Sequence, residues 1–254
     1  MPKRNHYKTM VLSDIHMGSK NSKISELLIF LKYNTCDMLI LNGDIIDGWQ
    51  LKKGEKWKKK YTRFFRLILK MTEKHNTELV YLRGNHDSFL DHIIPFIYDD
   101  IWVVKSHIHY SKGKKYLILH GDIFDPIVNN MRWLSNLGLS NYSFTLWLNK
   151  IYNLIVSKRD KVHFSLSKAI NEQPVKAKEY IFNFEQELVK LARKKECDGV
   201  ICGHIHHPAI THYDDVTYMN SGDWVDSLSA LTEDYKGNWN VVYYSDIIKD
   251  EHFS

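Results

Sequence analysis

Three short apolar runs, each ending in polar residues and glycine, constrain the fold of this 254-residue chain more than any other feature. The runs are "KTMVLSD" (8–14), "CDMLILNGD" (36–44) and "TELVYLRGN" (77–85). Continuous apolar runs of this length are typical of strands that are buried on both faces of a sheet. The segments between them, 22–33 and 56–75, are long enough for crossover helices. This alternation predicts a βαβαβ unit with parallel strands.

The rest of the chain predicts hairpins and a long helix. Residues 101–122 have the pattern of strand, turn and strand, and 198–204 form another buried run, which a hairpin over 210–224 follows. Residues 175–196 carry apolar side chains at helical spacing. An α/β beginning followed by hairpins predicts an α/β sandwich of two sheets with helices outside. We expect one domain over residues 1–254.

The segment 126–175 does not fit the alternation of strands and helices. It is rich in Trp, Leu, Ile and Phe and also contains Lys and Arg. We interpret it as a helical cap that is inserted into the domain. Its apolar residues could form the core of the cap or a surface for acyl chains, and both alternatives stay open.

Composition limits the class of protein and its partners. Thirty-five Lys and Arg against thirty Asp and Glu give a formal net charge of +5, which suits an anionic substrate or an anionic membrane surface. The three cysteines show no CxxC spacing, which argues against a disulfide framework or a zinc-thiolate site. No apolar stretch reaches the roughly 18 residues that span a bilayer, and none resembles a signal peptide. We therefore expect a cytoplasmic protein.

Polar residues of the types that bind metal ions stand where the apolar runs stop. The carboxyl ends of strands in an open α/β sheet usually form the ligand site, so these side chains are expected to converge. Carboxylate and amide oxygens mixed with imidazoles suit Mn, Fe, Zn or Co. The residues are Asp14, His16, Asp44, Asp47, Asn85, His86, Asp87, His120, His204 and His206.

The spacing within these clusters suggests a pair of ions. Asp14 and His16, like His204 and His206, are two residues apart and could be aimed at one ion by a tight turn. Asp44 is the best candidate to bridge two cations. Two cations roughly 3.5–4 Å apart form the clamp that is used in phosphate-ester hydrolysis.

Five motifs, "DIH", "GDIID", "GNHD", "HGD" and "GHIH", resemble those of the calcineurin-like metallophosphoesterases and span residues 14–206. The resemblance implies a four-layer sandwich of two mixed β-sheets flanked by helices. It also implies two divalent ions, Mn or alternatively Fe, Zn or Co, and a metal-activated hydroxide as nucleophile. The implied ligands are Asp14, His16, Asp44 and His206 for the first ion, and Asp44, Asn85, His120 and His204 for the second.

The same resemblance implies that His86 faces the scissile phosphate without binding metal. It would act as transition-state stabiliser or general acid, and Asp47 would orient it. The chemistry agrees, because a histidine held by a carboxylate can donate a proton to a leaving oxygen near neutral pH. Asp87 is expected to be a local structural partner.

Residues 203–233 and 120–125 are similar to the branch of UDP-2,3-diacylglucosamine pyrophosphatases, which release lipid X and UMP in lipid A synthesis. The best-known enzymes of that branch have arginine after the motif asparagine, whereas this chain has His86. Another lipid-linked or nucleotide-linked pyrophosphate therefore stays open as substrate. Peripheral contact with the cytoplasmic face of the inner membrane is a further hypothesis. Expected substrate contacts are Asp122, Lys158, Arg159 and Lys161.

Two other functions are compatible with the motifs. A nuclease or nucleotide phosphodiesterase would need a basic groove with aromatic residues. The only candidate segment, 51–66, is interpreted as the solvated face of an amphipathic helix, so we expect no nucleic-acid partner. A non-catalytic metal-binding scaffold would show eroded ligands, whereas every expected ligand type is present here. The oligomeric state stays open.

Overall fold

The computed structural model describes residues 4–124 and 174–247; for residues 174–177 it describes the backbone alone. The described residues fall into two compact units, of which residues 4–122 with 185–247 form the first and 123–124 with 174–184 belong to the second. Two short 3-10 helices cover Ser88–His92 and Asp122–Phe124. The helices and strands are β1 (Asn5–Leu12), α1 (Ile24–Tyr33), β2 (Asn34–Asn42), α2 (Gly48–Lys52), α3 (Lys59–His75), β3 (Glu78–Leu82), β4 (Phe96–Tyr98), β5 (Ile101–Val104), β6 (Ser106–Ser111), β7 (Lys114–Leu119), α4 (Pro174–Lys194), β8 (Gly199–Cys202), β9 (Ala209–Tyr213), β10 (Val216–Asn220), β11 (Ser229–Glu233) and β12 (Trp239–Tyr243).

Two mixed sheets form the frame of the protein. The first has the order β12-β11-β1-β2-β3-β5-β4, and β1, β2, β3 and β5 are parallel in it. The second has the order β6-β7-β8-β10-β9, with β7, β8 and β10 parallel. The predicted parallel βαβαβ unit and the two mixed sheets flanked by helices are thus confirmed.

Alternating side chains on the strands pack the two sheets against each other. Because neighbouring residues of a strand point to opposite faces, each buried strand contributes to two cores. Residues in register across β11, β1, β2 and β3 face a matching row on β7, β8 and β10. The first row is Leu231, Val11, Ile40 and Val80, and the second is Ile118, Ile201 and Met219, all buried in one cluster.

Helices α1 and α3 cover the other face of the first sheet. Met10 and Leu39 point outward from it and pack in one cluster with Phe30 of α1 and Phe64 of α3. Helix α3 ends at Asn76, whose left-handed backbone (φ 52°) lets its N–H bond to the Met71 carbonyl. On the second sheet, α4 is fixed through an ion pair between Arg193 and Asp215, 2.8 Å from Nη2 to Oδ1. The layers are helix, sheet, sheet and helix.

Several details differ from the sequence-based expectation. The segment 101–122 holds three strands, because the chain leaves the first sheet after β5 and enters the second with β6. Neither β4, whose three residues are all exposed, nor the short buried β11 was predicted. The expected insertion 126–175 lies outside the described residues, apart from the backbone of its last two residues. In the described part of the chain no helix is long and apolar enough to cross a membrane.

A buried carboxylate on β11 links the two sheets. Glu233 Oε2 accepts hydrogen bonds from Thr9 Oγ1 of the first sheet (2.7 Å) and from His109 Nε2 of the second (2.8 Å). Its Oε1 accepts bonds from Lys8 Nζ, at 2.9 Å, and from the Ser111 hydroxyl. Burial alone would raise the pKa of Glu233, but the bonds from His109, Ser111, Lys8 and Thr9 outweigh it and lower the pKa to about 2.

Glu233→Gln is expected to lower the free energy of unfolding by about 2–3 kcal/mol at pH 7, since the variant cannot carry this stabilised charge. The folded-state pKa lies below the ordinary 4.5, so the stabilisation is complete above about pH 4.5 and is lost as the pH falls towards 2. Urea unfolding of both proteins at pH 7 and pH 3 measures the effect. The gap between wild type and variant should shrink at pH 3, with the exposed Glu78→Gln as control. An equal gap at both pH values would contradict the assignment.

Candidate metal centre

Loops from both sheets meet at one edge of the sandwich. They follow the carboxyl ends of β1, β2 and β3 in the first sheet and of β7, β8 and β10 in the second. Backbone bonds join them: Asp14 N–H donates to the Gly43 carbonyl at 3.0 Å, Gly203 N–H to the His120 carbonyl at 3.0 Å, and Trp224 N–H to the Asp14 carbonyl at 3.1 Å. The predicted convergence of the motifs at a strand edge is therefore what the structure shows.

Five of the expected metal ligands have a left-handed backbone. This conformation is uncommon for residues other than glycine and is strained, so it persists only where the surroundings enforce it. It turns side chains that leave different strands towards one centre. The residues are Asp14 (φ 52°), His16 (50°), Asp44 (53°), His204 (68°) and His206 (53°).

The side chain of Asp44 lies in the middle of the cluster and is buried. Its Oδ2 is 3.4 Å from His120 Nε2, 3.8 Å from His86 Nε2 and 3.9 Å from His16 Nε2. Its Oδ1 accepts a hydrogen bond from the backbone N–H of His86 at 2.8 Å, which fixes the carboxylate plane. Asp44 therefore has imidazoles from three other loops around one oxygen.

Asp14 holds the opposite side of the cluster. Its Oδ1 is 3.2 Å from His206 Nε2 and 3.8 Å from His16 Nε2, while its Oδ2 accepts a bond from the His204 N–H at 3.0 Å. Three groups of donor atoms lie within 4.8 Å of one another, close enough to share a cation. They are Asp14, His16 and His206; Asp44, His120 and His204; and His16, Asp44 and His86.

The donor atoms fit a divalent cation. Asn85 Oδ1 is buried and makes no hydrogen bond within the described residues, while Asp14 Oδ1 and His120 Nε2 are buried with only the ion-pair contacts to His206 and Asp44. Buried polar atoms are rarely left without a partner, because each costs about 1–3 kcal/mol. A cation would satisfy all three, and oxygen with imidazole donors is the set that Mn, Fe, Zn or Co accept.

Groups behind the imidazoles orient them. His120 Nδ1 donates to the Asn42 carbonyl at 2.9 Å, and His206 Nδ1 is 3.9 Å from Asp223 Oδ1. Metal-binding histidines usually direct their second ring nitrogen at a carbonyl or carboxylate; His120 does so through a hydrogen bond, whereas the contact at His206 is too long for one. Asp223 was not among the predicted site residues, although "NSGD" follows an apolar run just as the five motifs do.

Opposite charges shift the pKa values of the cluster. Burial acts to lower the pKa of His120 and His206, but Asp44 and Asp14 outweigh it and raise them to about 10 and about 9. Burial acts to raise the pKa of Asp14, yet His206 and His120 lower it to about 2. These imidazoles therefore hold protons beside ionised carboxylates, and a bound cation would replace those protons.

His86 lies beside the cluster in a position that differs from the other imidazoles. Its Nδ1 is 3.1 Å from Asp47 Oδ1. The second carboxylate oxygen of Asp47, Oδ2, is 3.8 Å from His16 Nδ1. Asp47 is anchored because it caps α2, accepting the Gln50 N–H at 3.0 Å. Burial acts against protonation of His86, but Asp47 and Asp44 raise its pKa. The exposed Trp49 packs on the imidazole, with 4.1 Å between ring centroids.

Asp87 holds the loop through hydrogen bonds to backbone and tyrosine groups. Its carboxylate accepts bonds from the Ile45 N–H (3.1 Å), the Ile46 N–H (2.9 Å) and the Tyr81 hydroxyl (2.9 Å). Burial and the charge of Asp44 raise the pKa of Asp87 to about 7. The local structural role that the sequence suggested is compatible with these contacts.

Of the expected substrate contacts, Asp122 alone lies within the described residues. Asp122 accepts a bond from the Arg83 guanidinium, which also binds Asp91 through Nε at 3.1 Å and Nη2 at 3.3 Å. Arg83 thus ties the loop of Asn85 to the loop that follows His120, a contact between distant segments that the sequence did not indicate. Lys158, Arg159 and Lys161 lie outside the described residues.

Gly84→Ala is expected to disturb Asp44 directly. A Cβ atom at position 84 would lie 2.2 Å from Asp44 Oδ1 and 2.5 Å from Asp44 N, so the carboxylate has to move. We expect about 10- to 100-fold weaker Mn binding, the loss typical of misoriented ligands. Calorimetric titration measures this affinity. Gly54→Ala is the control, because its Cβ would meet nothing within 4 Å and the strain of its left-handed backbone (φ 96°) should lower stability without changing Mn affinity. Unchanged Mn affinity in Gly84→Ala would contradict the placement of Asp44.

Comparisons with known proteins place the chain in a family. Residues 7–208 match the sequence model of the calcineurin-like phosphoesterase family. A UDP-2,3-diacylglucosamine hydrolase of Wigglesworthia glossinidia brevipalpis is 26% identical over 215 residues, covering 80% of each chain. A second, from Photorhabdus laumondii, is 23% identical over 212 residues, covering 80% of this chain and 83% of that protein.

A crystal structure of a predicted phosphoesterase from Streptococcus pneumoniae covers 94% of this chain and 90% of its own, with 14% identity and a TM-score of 0.41. The family match spans most of the chain and includes every motif from Asp14 to His206. The recognition made from the motifs is confirmed. The protein belongs to the calcineurin-like phosphoesterase family and is a metal-dependent hydrolase of phosphoesters.

Proposed function

We propose that the protein binds two divalent ions, with Mn as the expected metal, and cleaves the pyrophosphate of UDP-2,3-diacylglucosamine or a related lipid- or nucleotide-linked pyrophosphate. The observation that carries the dinuclear proposal is the position of Asp44, whose Oδ2 lies 3.4 Å from His120 Nε2 and 3.9 Å from His16 Nε2, two imidazoles that we assign to different ions. The ligand sets are Asp14, His16, Asp44 and His206 for one ion, and Asp44, Asn85, His120 and His204 for the other.

The substrate class is supported by the curated relatives, both named UDP-2,3-diacylglucosamine hydrolase and matched over 80% of this chain. Such a substrate combines an anionic pyrophosphate with acyl chains. We propose that the segment 126–175 is a cap within a single domain and supplies Lys158, Arg159 and Lys161 to the anionic part. Asp122 would act through its bond to Arg83, because that contact occupies the carboxylate.

The bound ions would polarise the phosphoryl group and lower the pKa of an attacking water. The side chains of the protein orient the general acid and supply the proton for the leaving oxygen. Asp47 fixes His86 through the 3.1 Å contact at Nδ1, and we assign Nε2, 3.8 Å from Asp44 Oδ2, to the reacting phosphate. The raised pKa of His86 keeps a proton available for the leaving oxygen. The Asn42 carbonyl holds the plane of His120 through its bond to Nδ1.

The decisive experiment is hydrolysis of UDP-2,3-diacylglucosamine in detergent by the Mn-supplemented protein, with product analysis by mass spectrometry. We expect UMP and the diacylglucosamine 1-phosphate in equal amounts. Absence of UMP at high enzyme concentration, with bis(p-nitrophenyl) phosphate still hydrolysed, would reject this substrate and retain the phosphodiesterase. We further propose a cytoplasmic location with peripheral contact to an anionic membrane, where a lipid-linked substrate is found.

A further inference from the structure

Helix α3 carries a row of cations along its outward face. Successive members are four, three, four and four residues apart, the spacing that keeps side chains on one side of a helix. All are exposed, whereas Tyr61, Phe64, Ile68 and Met71 on the opposite side are buried. The row is about 22 Å long at 1.5 Å per residue. We name it the cationic stripe: Lys59, Arg63, Arg66, Lys70 and Lys74.

The charge of the chain is concentrated around this stripe. Residues 52–74 contain ten Lys and Arg and two Glu, a formal +8, while the whole chain carries +5, so all other residues together carry −3. One of the two acids, Glu55, faces Lys20 at 3.7 Å. Among residues 4–124 and 174–247, no ion pair to an acidic side chain neutralises the stripe. A concentrated field of one sign attracts an anionic surface.

Exposed apolar side chains accompany the cations. Trp49 is 47% exposed, Trp57 44% and Leu69 52%. Trp57 is held in place, because its Nε1 donates to Thr62 Oγ1 at 2.9 Å and its ring stacks on Phe65 at 6.2 Å. Aromatic and apolar side chains among Lys and Arg are characteristic of protein surfaces that lie in the headgroup region of a membrane.

The surface continues to the metal centre. Helix α3 connects the parallel strands β2 and β3, so it begins at the edge of the sheet where Asp44 and His86 lie. Trp49, at the start of α2, packs directly on His86. The stripe is the outward face of a helix that covers a sheet, and therefore presents a convex surface. A single nucleic-acid strand is normally bound in a groove, whereas a convex cationic helix fits a planar anionic layer.

We propose that the cationic stripe docks the protein on an anionic phospholipid bilayer and brings the metal centre to the membrane surface. The inference rests on the proposed function, because a lipid-linked substrate lies in that surface. Each Lys or Arg near an anionic membrane strengthens binding about fivefold. Replacing four of these cations by glutamate should therefore lower the partition coefficient for anionic vesicles by roughly several hundred-fold. High salt should release the wild-type protein as well.

The test is co-sedimentation of the full chain with vesicles of phosphatidylcholine, with and without about a third phosphatidylglycerol. The variant combines Lys59→Glu, Arg63→Glu, Arg66→Glu and Lys70→Glu, and glutamate preserves helix propensity. The control combines Lys112→Glu, Lys114→Glu, Lys194→Glu and Lys236→Glu, the same charge change at exposed positions elsewhere. We expect the wild type and the control to bind the anionic vesicles more strongly than neutral ones, and the stripe variant to lose binding.

Equal vesicle binding by both variants, or none by the wild type, would overturn the proposal. So would stripe-dependent binding of a single-stranded oligonucleotide without vesicle binding, which would assign the stripe to nucleic acid. Hydrolysis of bis(p-nitrophenyl) phosphate should be unchanged in both variants and shows that they are folded. Vesicle binding without release of UMP from UDP-2,3-diacylglucosamine would reject the proposed substrate and leave the docking surface standing.

Discussion

Asp44→Asn is expected to lower phosphodiester hydrolysis by about a thousand-fold or more and to abolish binding of at least one of the two ions. The physical reason is the position of Oδ2, which lies 3.4 Å from His120 Nε2 and 3.9 Å from His16 Nε2. Asparagine has the same shape and can still accept the His86 N–H, but it lacks the charge that two cations would share. Metal analysis by mass spectrometry and steady-state kinetics measure the two effects.

Glu233→Gln is the matched control for this variant. It also neutralises a buried carboxylate, but one that is bonded to His109 and Thr9 and to no residue of the metal centre. It should lose stability and keep both ions, whereas Asp44→Asn should lose at least one ion. If Asp44→Asn retained two ions and full turnover, Asp44 would not be the bridging ligand.

His86→Ala is expected to keep both ions and to lose about a hundred- to ten-thousand-fold in turnover on an alkyl phosphodiester, the usual range for removal of a general acid. The loss should be much smaller on bis(p-nitrophenyl) phosphate, because p-nitrophenolate leaves without needing a proton. This difference separates proton donation from any general damage to the site. His92→Ala is the control, since His92 is exposed and lies outside the donor groups.

The structure also allows a second role for His86, that of a metal ligand, and the same variant tests it. His16, Asp44 and His86 form one of the three donor groups that could share a cation. If the metal content of His86→Ala fell together with its activity on both substrates, His86 would be a ligand. The same experiment with Asp47→Asn should weaken turnover with the ions retained, because Asp47 contacts the Nδ1 side of His86.

The parts of the site that could be predicted from the sequence are those encoded locally. Each of Asp14, Asp44, Asn85, His120 and His204 lies within three residues of the end of an apolar run, and the parallel strands bring those ends to one edge. The left-handed backbone at Asp14 and Asp44 had no such signal, because nothing in "SDIH" or "GDII" distinguishes a strained turn from an ordinary one.

Contacts between distant segments could not be predicted in this way. The Arg83–Asp122 bond joins residues 39 positions apart, and the Glu233 cluster joins residues more than 100 positions apart. Similarly, the crossing from the first sheet to the second at Lys105 is decided by packing, since Lys105 alone separates β5 from β6 and no Gly or Pro marks the change of sheet. Asp223 is the opposite case. It follows an apolar run, as the motif residues do, but it belongs to none of the five motifs.

The most direct test of the dinuclear centre is a Mn titration of the metal-free protein, followed by electron paramagnetic resonance and by hydrolysis in the same samples. The account predicts two tightly bound Mn per chain, a spin-coupled pair in the spectrum, and activity that rises only as the second equivalent binds. In Asp44→Asn the coupled signal should disappear. A single uncoupled Mn per chain with full activity would contradict the proposal that Asp44 bridges two ions at this edge of the sandwich.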